Sequence, residues 1–463
     1  METNVSIRWQ LTKIARKIRR LKNRNSKMYR ILLLTNRDSD NVGDQVIEAC
    51  DISLIKTVMQ NLHIDSSCFK INSRAAGIIS KDYVETKDPA LLKSAEKLIR
   101  ESDLIIFGGA PLFNYLYQIF YERTATTLEL AEKYHKPVIF SAIGIESYHE
   151  DSSKCQRLKK TLNFECVKQI TTRDGFSYLQ QYKDRDSLVI DKVSDPAVFA
   201  SNIFRNNIGT KSLNKRKKVG LFILRANGFK DNKINFTKTD AATLWQDLIS
   251  ELVNRGYDYE LLTSGHFGDE AFIDYLIRNY NIDAKKCVFN INSPEHLISK
   301  LSSYDAIVSC RLHPSIIAFS FNIPSIGLIW NSKVSYFYDS IGYGDRLVDV
   351  TNTNAAEIAD KIEQAIVQGL QKDPEYLESV YRSLFHGIKS VVYPQGSNIT
   401  PYNYAKLIRS FPPYPGTSEK EQQKKLERKF RRAYSKYNEL FEQNTINKKK
   451  IKDLQEQQKN KRY

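Results

Sequence analysis

Arg311, Leu312 and His313 follow a short apolar run, and Pro314 comes next. A proline in the first turn of a helix loses nothing, because the amide it lacks has no partner there. The order predicts a loop that delivers an arginine and a histidine at a helix N-terminus, where free amides favour an anion. Arg311 offers a rigid fork for phosphate or carboxylate. His313 exchanges a proton near neutral pH and could act as acid or base. The competing reading pairs Arg311 with a neighbouring acid and buries His313 as a hydrogen-bonded core residue. Lys333 follows the next strand and a short loop; its point charge suits the same anion, although solvation is the usual fate of a lysine. Arg173 ends an earlier strand and could grip a carboxylate from across a cleft, or form a structural pair with Asp174 or Asp195. Asn41, Gly43 and Asp44 form a loop just before a helix. Asp44 there is a good cap, or a base, and Asn41 could meet substrate hydroxyls. His266, in the run SGHFGDE, could approach the same cleft, with Asp269 as a helix cap. Gly108 and Gly109 admit close backbone approach to a ligand, or make a tight turn.

The elements that must position these residues read as two α/β halves. Residues 28–35, 104–107, 137–143, 166–171 and 188–193 are apolar runs that read as buried parallel strands. Helical periodicity fills 45–62, 91–100, 120–134 and 176–181 between them. Residues 206–218 are polar and basic and read as a linker. The pattern then restarts with strands at 218–224, 257–263, 304–309 and 324–328. Its helices fall at 239–255, 270–280, 294–301, 315–321 and 355–369. Two open parallel sheets with covered faces place a cleft between them, lined by loops at the strands' carboxyl ends. The division is therefore 28–205, a linker at 206–218, and 219–370. Residues 371–412 form helices that could cross back over the first half.

Four pieces of this chain resemble the polysaccharide pyruvyl transferase family. They are Asn41-Val42-Gly43-Asp44; the Gly108-Gly109 turn; Arg173-Asp174 with Ser177 and then Asp195-Pro196; and the stretch CRLHPSIIAFSFNIPSIGLIWNSK from Cys310 to Lys333. The resemblance runs from about Arg30 to about Gly369. It implies a fold like the two-domain B-type glycosyltransferases, with the first domain on the acceptor side and the second on the donor side. The implied activity is transfer of a pyruvyl group from phosphoenolpyruvate to two hydroxyls of a sugar or lipid-linked oligosaccharide, leaving a ketal on a cell-surface polysaccharide. In that reading His313, Arg311 and Asp44 are catalytic. Arg173, Lys333, Leu312, Asn41, Gly43, Gly108, Gly109 and His266 bind substrate. No cofactor or metal is called for, since Arg and Lys can neutralise the donor. The chain departs from the family at Ala110, where a third glycine is usual. Two other classes stay open: a B-type glycosyltransferase using a nucleotide sugar, with Glu357 as the candidate ribose ligand, and a non-catalytic scaffold of a glycan pathway.

Charge narrows the partners. The net charge is +17 over 463 residues, but the excess lies in two tails. Residues 1–30 hold ten Lys/Arg and one acid, residues 419–463 fifteen and seven, and the rest balances. A nucleic-acid reader would carry the excess on its folded body, so nucleic acid is not expected. Ile7, Leu11, Ile14, Ile18 and Leu21 share one helical face inside a basic leader, residues 1–27. Residues 7–21 suit an anionic membrane surface, or dock on the body. Leu426, Phe430, Ala433, Tyr437, Leu440, Ile451 and Leu454 fall in a weak heptad, which suggests self-association through residues 426–454. Pro401 and the run FPPYPG set off a Pro-rich segment and basic helical tail (413–463), so removal of residues 419–463 should spare the fold and the chemistry. Six scattered cysteines read as reduced thiols. No apolar window is long enough to span a bilayer and no signal-like apolar run follows the basic start, which points to the cytoplasm, at or near the membrane's inner face.

Overall fold

The computed structural model describes residues 27–113, 115, 119–211, 216–225 and 227–460. The leader reading of residues 7–21 lies outside them. Two six-stranded sheets form the body, and every strand pair is parallel. The first contains β1 (Tyr29–Thr35), β2 (Phe69–Ala75), β3 (Leu104–Gly108), β4 (Val138–Ile143), β5 (Val167–Thr172) and β6 (Val189–Lys192), in the order β2-β1-β3-β4-β5-β6. The second contains β7 (Lys218–Phe222), β8 (Asp258–Leu262), β9 (Cys287–Val288), β10 (Ala306–Ser309), β11 (Ser325–Leu328) and β12 (Leu347–Val348), in the order β12-β11-β10-β7-β8-β9.

The central strands β3, β4, β10 and β11 are buried along their whole length, as continuous Ile, Val, Leu and Phe runs with helices on both faces must be. The order of each sheet reverses once, between β1 and β3 and between β7 and β10. Ligands of open parallel sheets bind beyond the carboxyl ends of the strands at such points. The loop holding Asn41 leaves β1, Gly108 ends β3, and Arg311 follows β10. Both reversal points therefore bring candidate residues to one cleft.

Three strands and five helices escape the periodicity reading, the helices being the short Lys81–Thr86, Ala200–Ile203 and Gly228–Asp231 and the longer Ser153–Leu162 and Ser332–Ser340. β2 (FKINSRA) is an edge strand with only partly buried residues, and β9 and β12 are two-residue edges. The Ser153–Leu162 and Ser332–Ser340 helices are rich in Lys, Ser or Tyr, and each is started by a capping side chain, Ser152 or Asn331.

The C-terminal third closes on the body. The Pro374–Val392 helix crosses to the first sheet, where Gln169 Nε2 donates to Ser383 Oγ at 2.6 Å and Asn61 Nδ2 to the Tyr381 hydroxyl at 2.9 Å. The FPPYPG run is no spacer. Tyr414 packs on Phe204 with ring centroids 4.5 Å apart, and Phe411 on Phe199 at 4.9 Å. The Glu419–Asn460 helix then lays its first turns over both domains. Arg428 and Arg432 pair with Asp38 and Asp40 of the first domain, at 2.7 and 2.6 Å, while Lys429 reaches Glu270 of the second at 2.8 Å. The expectation of an isolated tail is thus corrected: the prolines interrupt the helices but leave the C-terminal helix anchored to the body. None of the six cysteines forms a disulfide among the described residues, and five are buried. Among the described residues no helix is long and apolar enough to cross a membrane.

Candidate active site

Asn41 caps the Val42–Asn61 helix, its Oδ1 accepting from the Gly43 amide at 3.2 Å. That bond fixes the side chain, so Nδ2 is left to donate. It lies 3.2 Å from His313 Nδ1, across the cleft. With Nδ1 as acceptor, the ring proton of neutral His313 sits on Nε2. Asp44, one helical turn on, has Oδ1 3.7 Å from the same Nδ1. The imidazole nitrogen therefore faces a donor and an acceptor at once, and the closer of the two sets its tautomer. Gly43 is what permits this approach: a Cβ there would stand 2.4 Å from His313 Cβ.

Burial and charge set the protonation states. His313 is held well below its ordinary pKa, first by burial and then by the positive charges of Arg173, Lys333 and Arg311, so it is neutral at pH 7. Asp44 is pushed up to about 6 by burial, against the opposing pull of Ser39, Arg173, Asn36 and Arg311. One carboxyl poised near neutrality beside a neutral imidazole is a competent proton-transfer pair.

Arg173 is buried at the tip of β5, with Nη1 2.5 Å from Asp195 Oδ2 and Nε 4.0 Å from Asp174 Oδ2. Its Nε has no hydrogen-bond acceptor among the described residues. Asp174 Oδ1 accepts from the Ile145 amide at 2.7 Å. Lys333, in the first turn of the Ser332–Ser340 helix, forms no ion pair among the described residues, yet its charge is felt by both Asp174 and His313. Arg173, Leu312 and Lys333 line one small pocket together with Tyr376 from the returning helix. The Leu312–Ser320 helix ends beside it without a side-chain cap. Asp174 and Asp195 line the same pocket and pair with Arg173, so Lys333 is its one cation without an ion pair among the described residues.

The other candidates are differently employed. Arg311 gives its fork to Asp269, Nε to Oδ2 at 2.8 Å and Nη2 to Oδ1 at 2.7 Å, and lies over Trp330 with 5.5 Å to the ring centroid. Asp269 is fully buried and also accepts from the Arg225 amide, so it is the partner of Arg311 rather than a cap. The cap of the Phe267–Tyr280 helix is His266, whose Nδ1 accepts from Gly268 at 3.2 Å. Gly108 and Gly109 clear room for the Val42–Asn61 helix: a Cβ would lie 2.3 Å from Asp51 Oδ2 at the first and 2.1 Å from Ile47 Cγ2 at the second. Glu357 turns its carboxylate back onto Thr353 and Asn354 at its own helix start, at 2.8 and 2.9 Å. Two further residues near these groups lie outside the sequence motifs. Tyr376 arrives from a distant helix. Asp51 is buried with neither carboxyl oxygen hydrogen-bonded among the described residues, and burial drives its pKa far up. The spacing Asp44, Glu48, Asp51 along one helix face was the available signal. Among the described residues no cluster of three or more His, Cys, Asp or Glu side chains is placed to hold a metal.

Asp44 yields a prediction with a definite sign. A carboxyl whose folded pKa exceeds its unfolded value of 3.8 stabilises the fold below that value and loses the contribution as pH rises through about 6. Asp44→Asn should therefore raise the melting temperature at pH 8, by about 1–3 kcal/mol of stability, and give no gain near pH 3.5. Thermal melts at the two pH values measure this; equal gains at both would mean that ionisation of Asp44 costs the fold nothing.

The sequence matches the polysaccharide pyruvyl transferase family over residues 4–332. The chain belongs to that family. No curated protein matches it. Among solved structures, it is similar to a Listeria monocytogenes protein assigned as a UDP-N-acetylglucosamine 2-epimerase, at 9% identity and a TM-score of 0.50, covering 81% of this chain and 99% of that one. It is similar also to the UDP-GlcNAc 2-epimerase of Methanocaldococcus jannaschii, at 12% identity and 0.50, covering 77% and 98%. At such identities these likenesses establish the shared two-domain fold, the B-type glycosyltransferase arrangement of two parallel-sheet domains facing a cleft. Family membership supports a transferase acting on sugars, and the structural likenesses add the fold.

Proposed function

We propose that this enzyme transfers a pyruvyl group from phosphoenolpyruvate to two hydroxyls of a sugar, on a cell-surface polysaccharide or its lipid-linked precursor. The observation that carries the reading is the His313–Asp44 pair beside the pocket formed by Arg173, Lys333 and the uncapped Leu312–Ser320 helix. Phosphoenolpyruvate carries a phosphate and a carboxylate, and two cations plus free amides match that demand.

In the reaction one hydroxyl adds across the enol double bond, the methylene carbon gains a proton, and the central carbon gains a C–O bond. The second hydroxyl then bonds to the same carbon and loses its proton, while phosphate leaves. His313 moves the hydroxyl proton. When Asp44 closes on Nδ1 and displaces Asn41, the ring proton shifts to Nδ1 and Nε2 becomes the acceptor. Arg173 and Lys333 hold the donor's charges. Arg311, tied to Asp269, positions the loop that carries His313 rather than gripping phosphate itself.

The shared fold keeps a second reading in play, a glycosyltransferase using a nucleotide sugar. Its ribose ligand would have to be found elsewhere than Glu357, whose carboxylate is taken by its own helix start. A panel of sugar and lipid-linked acceptors with phosphoenolpyruvate, read by phosphate release and by mass gain of the acceptor, tests the proposal. Phosphate release with a pyruvyl mass increment is the expected result. Glycosyl transfer from a nucleotide sugar, with no phosphate from phosphoenolpyruvate, would replace it by the second reading.

A further inference from the structure

The Glu419–Asn460 helix has two unlike parts. Up to Arg432 one face is spent on the body: Glu421 meets Arg37 at 2.6 Å, Lys425 donates to Gln45 at 2.8 Å, and Lys429, Arg428 and Arg432 reach Glu270, Asp38 and Asp40. From Tyr434 to Gln458 every residue is exposed. That free section is roughly 38 Å long at the rise of an α-helix.

Phe430, Tyr434, Tyr437 and Phe441 are 50%, 64%, 65% and 61% exposed. Their spacing puts them on one stripe. They stack in pairs, Phe430 on Tyr434 with centroids 6.3 Å apart and Tyr437 on Phe441 at 6.2 Å. The stripe lies roughly 140° around the helix from the docked face of Lys425, Lys429 and Arg432, so the body leaves it uncovered. Farther along, the same sector carries Lys448, Ile451 and Lys452, and no acid from Phe430 to Lys452. An exposed aromatic stripe of this length asks for a partner.

Charge chooses among partners. Residues 419–463 hold fifteen Lys/Arg and seven acids. A second copy in the heptad register of Phe430, Tyr437, Asn444 and Ile451 would set Lys429, Lys436 and Lys450 beside the seam, facing Tyr434, Phe441 and Gln455. Lys429 is already spent on Glu270 and Lys436 on Glu439 of its own helix, the second copy offers these lysines no acid of its own, and Asn444 and Asn447 would enter the seam. A surface of anionic lipid satisfies both features, since tyrosine and phenylalanine rings bury at headgroup depth and the lysines meet negative charge. We propose that this helix lays its Phe430–Phe441 face on an anionic lipid surface. Its docked turns overlie the loop of residues 36–44, so the contact would bring the mouth of the cleft to the lipid headgroups. The proposal is independent of the reaction catalysed.

Co-sedimentation of the full chain with vesicles tests it. Two compositions are needed, phosphatidylcholine alone and an equal mixture with phosphatidylglycerol, at low salt. The protein is compared with a triple variant, Tyr434→Ser, Tyr437→Ser and Phe441→Ser, whose changes touch nothing in the body and should leave its melting temperature unchanged. The wild type should pellet with the mixed vesicles and not with phosphatidylcholine alone, and the triple variant should bind them roughly tenfold more weakly or less. Equal sedimentation of the two proteins would overturn the proposal and leave any lipid contact to other residues. A dimeric mass by light scattering that the triple variant renders monomeric, with no vesicle binding, would overturn it in favour of a second copy.

Discussion

Replacing His313 with alanine should lower turnover by roughly 100-fold or more while the protein stays folded, because a positioned proton-transfer group is worth that much. The side chain lies at the cleft, against Gly43 and Asn41, and not in either sheet's packing. His313→Gln refines the result. A glutamine can still accept from Asn41 but cannot pass a proton, so it should be as inactive as alanine with binding of the donor retained. Gly43→Ala gives a matching control, since its methyl would press into the ring. A His313→Ala enzyme within a few-fold of wild type would remove the imidazole from the chemistry.

The second large effect is on stability. Asp269→Ala should destabilise the fold by about 3 kcal/mol, the usual cost of leaving one member of a buried ion pair alone. The loss has three parts. Both hydrogen bonds from Arg311 disappear, the Arg225 amide loses its acceptor, and the guanidinium stays against Trp330 with only 11% of its side chain exposed. Chemical denaturation would measure it. A cost below about 1 kcal/mol would show that water reaches Arg311 easily enough to screen it. Arg311 would then be available to an anion after all.

The contrast between these two residues explains what the sequence could and could not disclose. A buried strand advertises itself, since a run such as LIIFG or AIVS has nowhere to sit but the middle of a sheet. The proline after His313 marked a helix start, and the helix begins at Leu312. Edge strand β2 sends no such signal, because its residues alternate polar and apolar with neither face fully buried. The fate of Arg311 was likewise hidden. Its alternatives, an anion or a nearby acid, differ only in where Asp269 lies, and that is set by the packing of a helix that comes after β8. Tyr376 and the docked turns at Lys425 and Lys429 come from far along the chain. Nothing local in a Lys/Gln/Glu-rich helix tells a solvated cation from one aimed at Glu270. The Gly108-Gly109 pair, which by type suits a ligand's close approach or a tight turn, makes room for the Val42–Asn61 helix, a packing partner no local pattern discloses.

The proposed function requires the pocket between Arg173, Lys333 and the Leu312–Ser320 helix to take phosphoenolpyruvate. Calorimetric titration of the full-length protein with that compound is the most direct measurement, repeated on Lys333→Gln and set beside a titration with a UDP-sugar. The wild type is expected to show saturable one-site binding of phosphoenolpyruvate, weakened about tenfold in Lys333→Gln by loss of one charge-assisted contact. Tight binding of the UDP-sugar with no heat from phosphoenolpyruvate would contradict it.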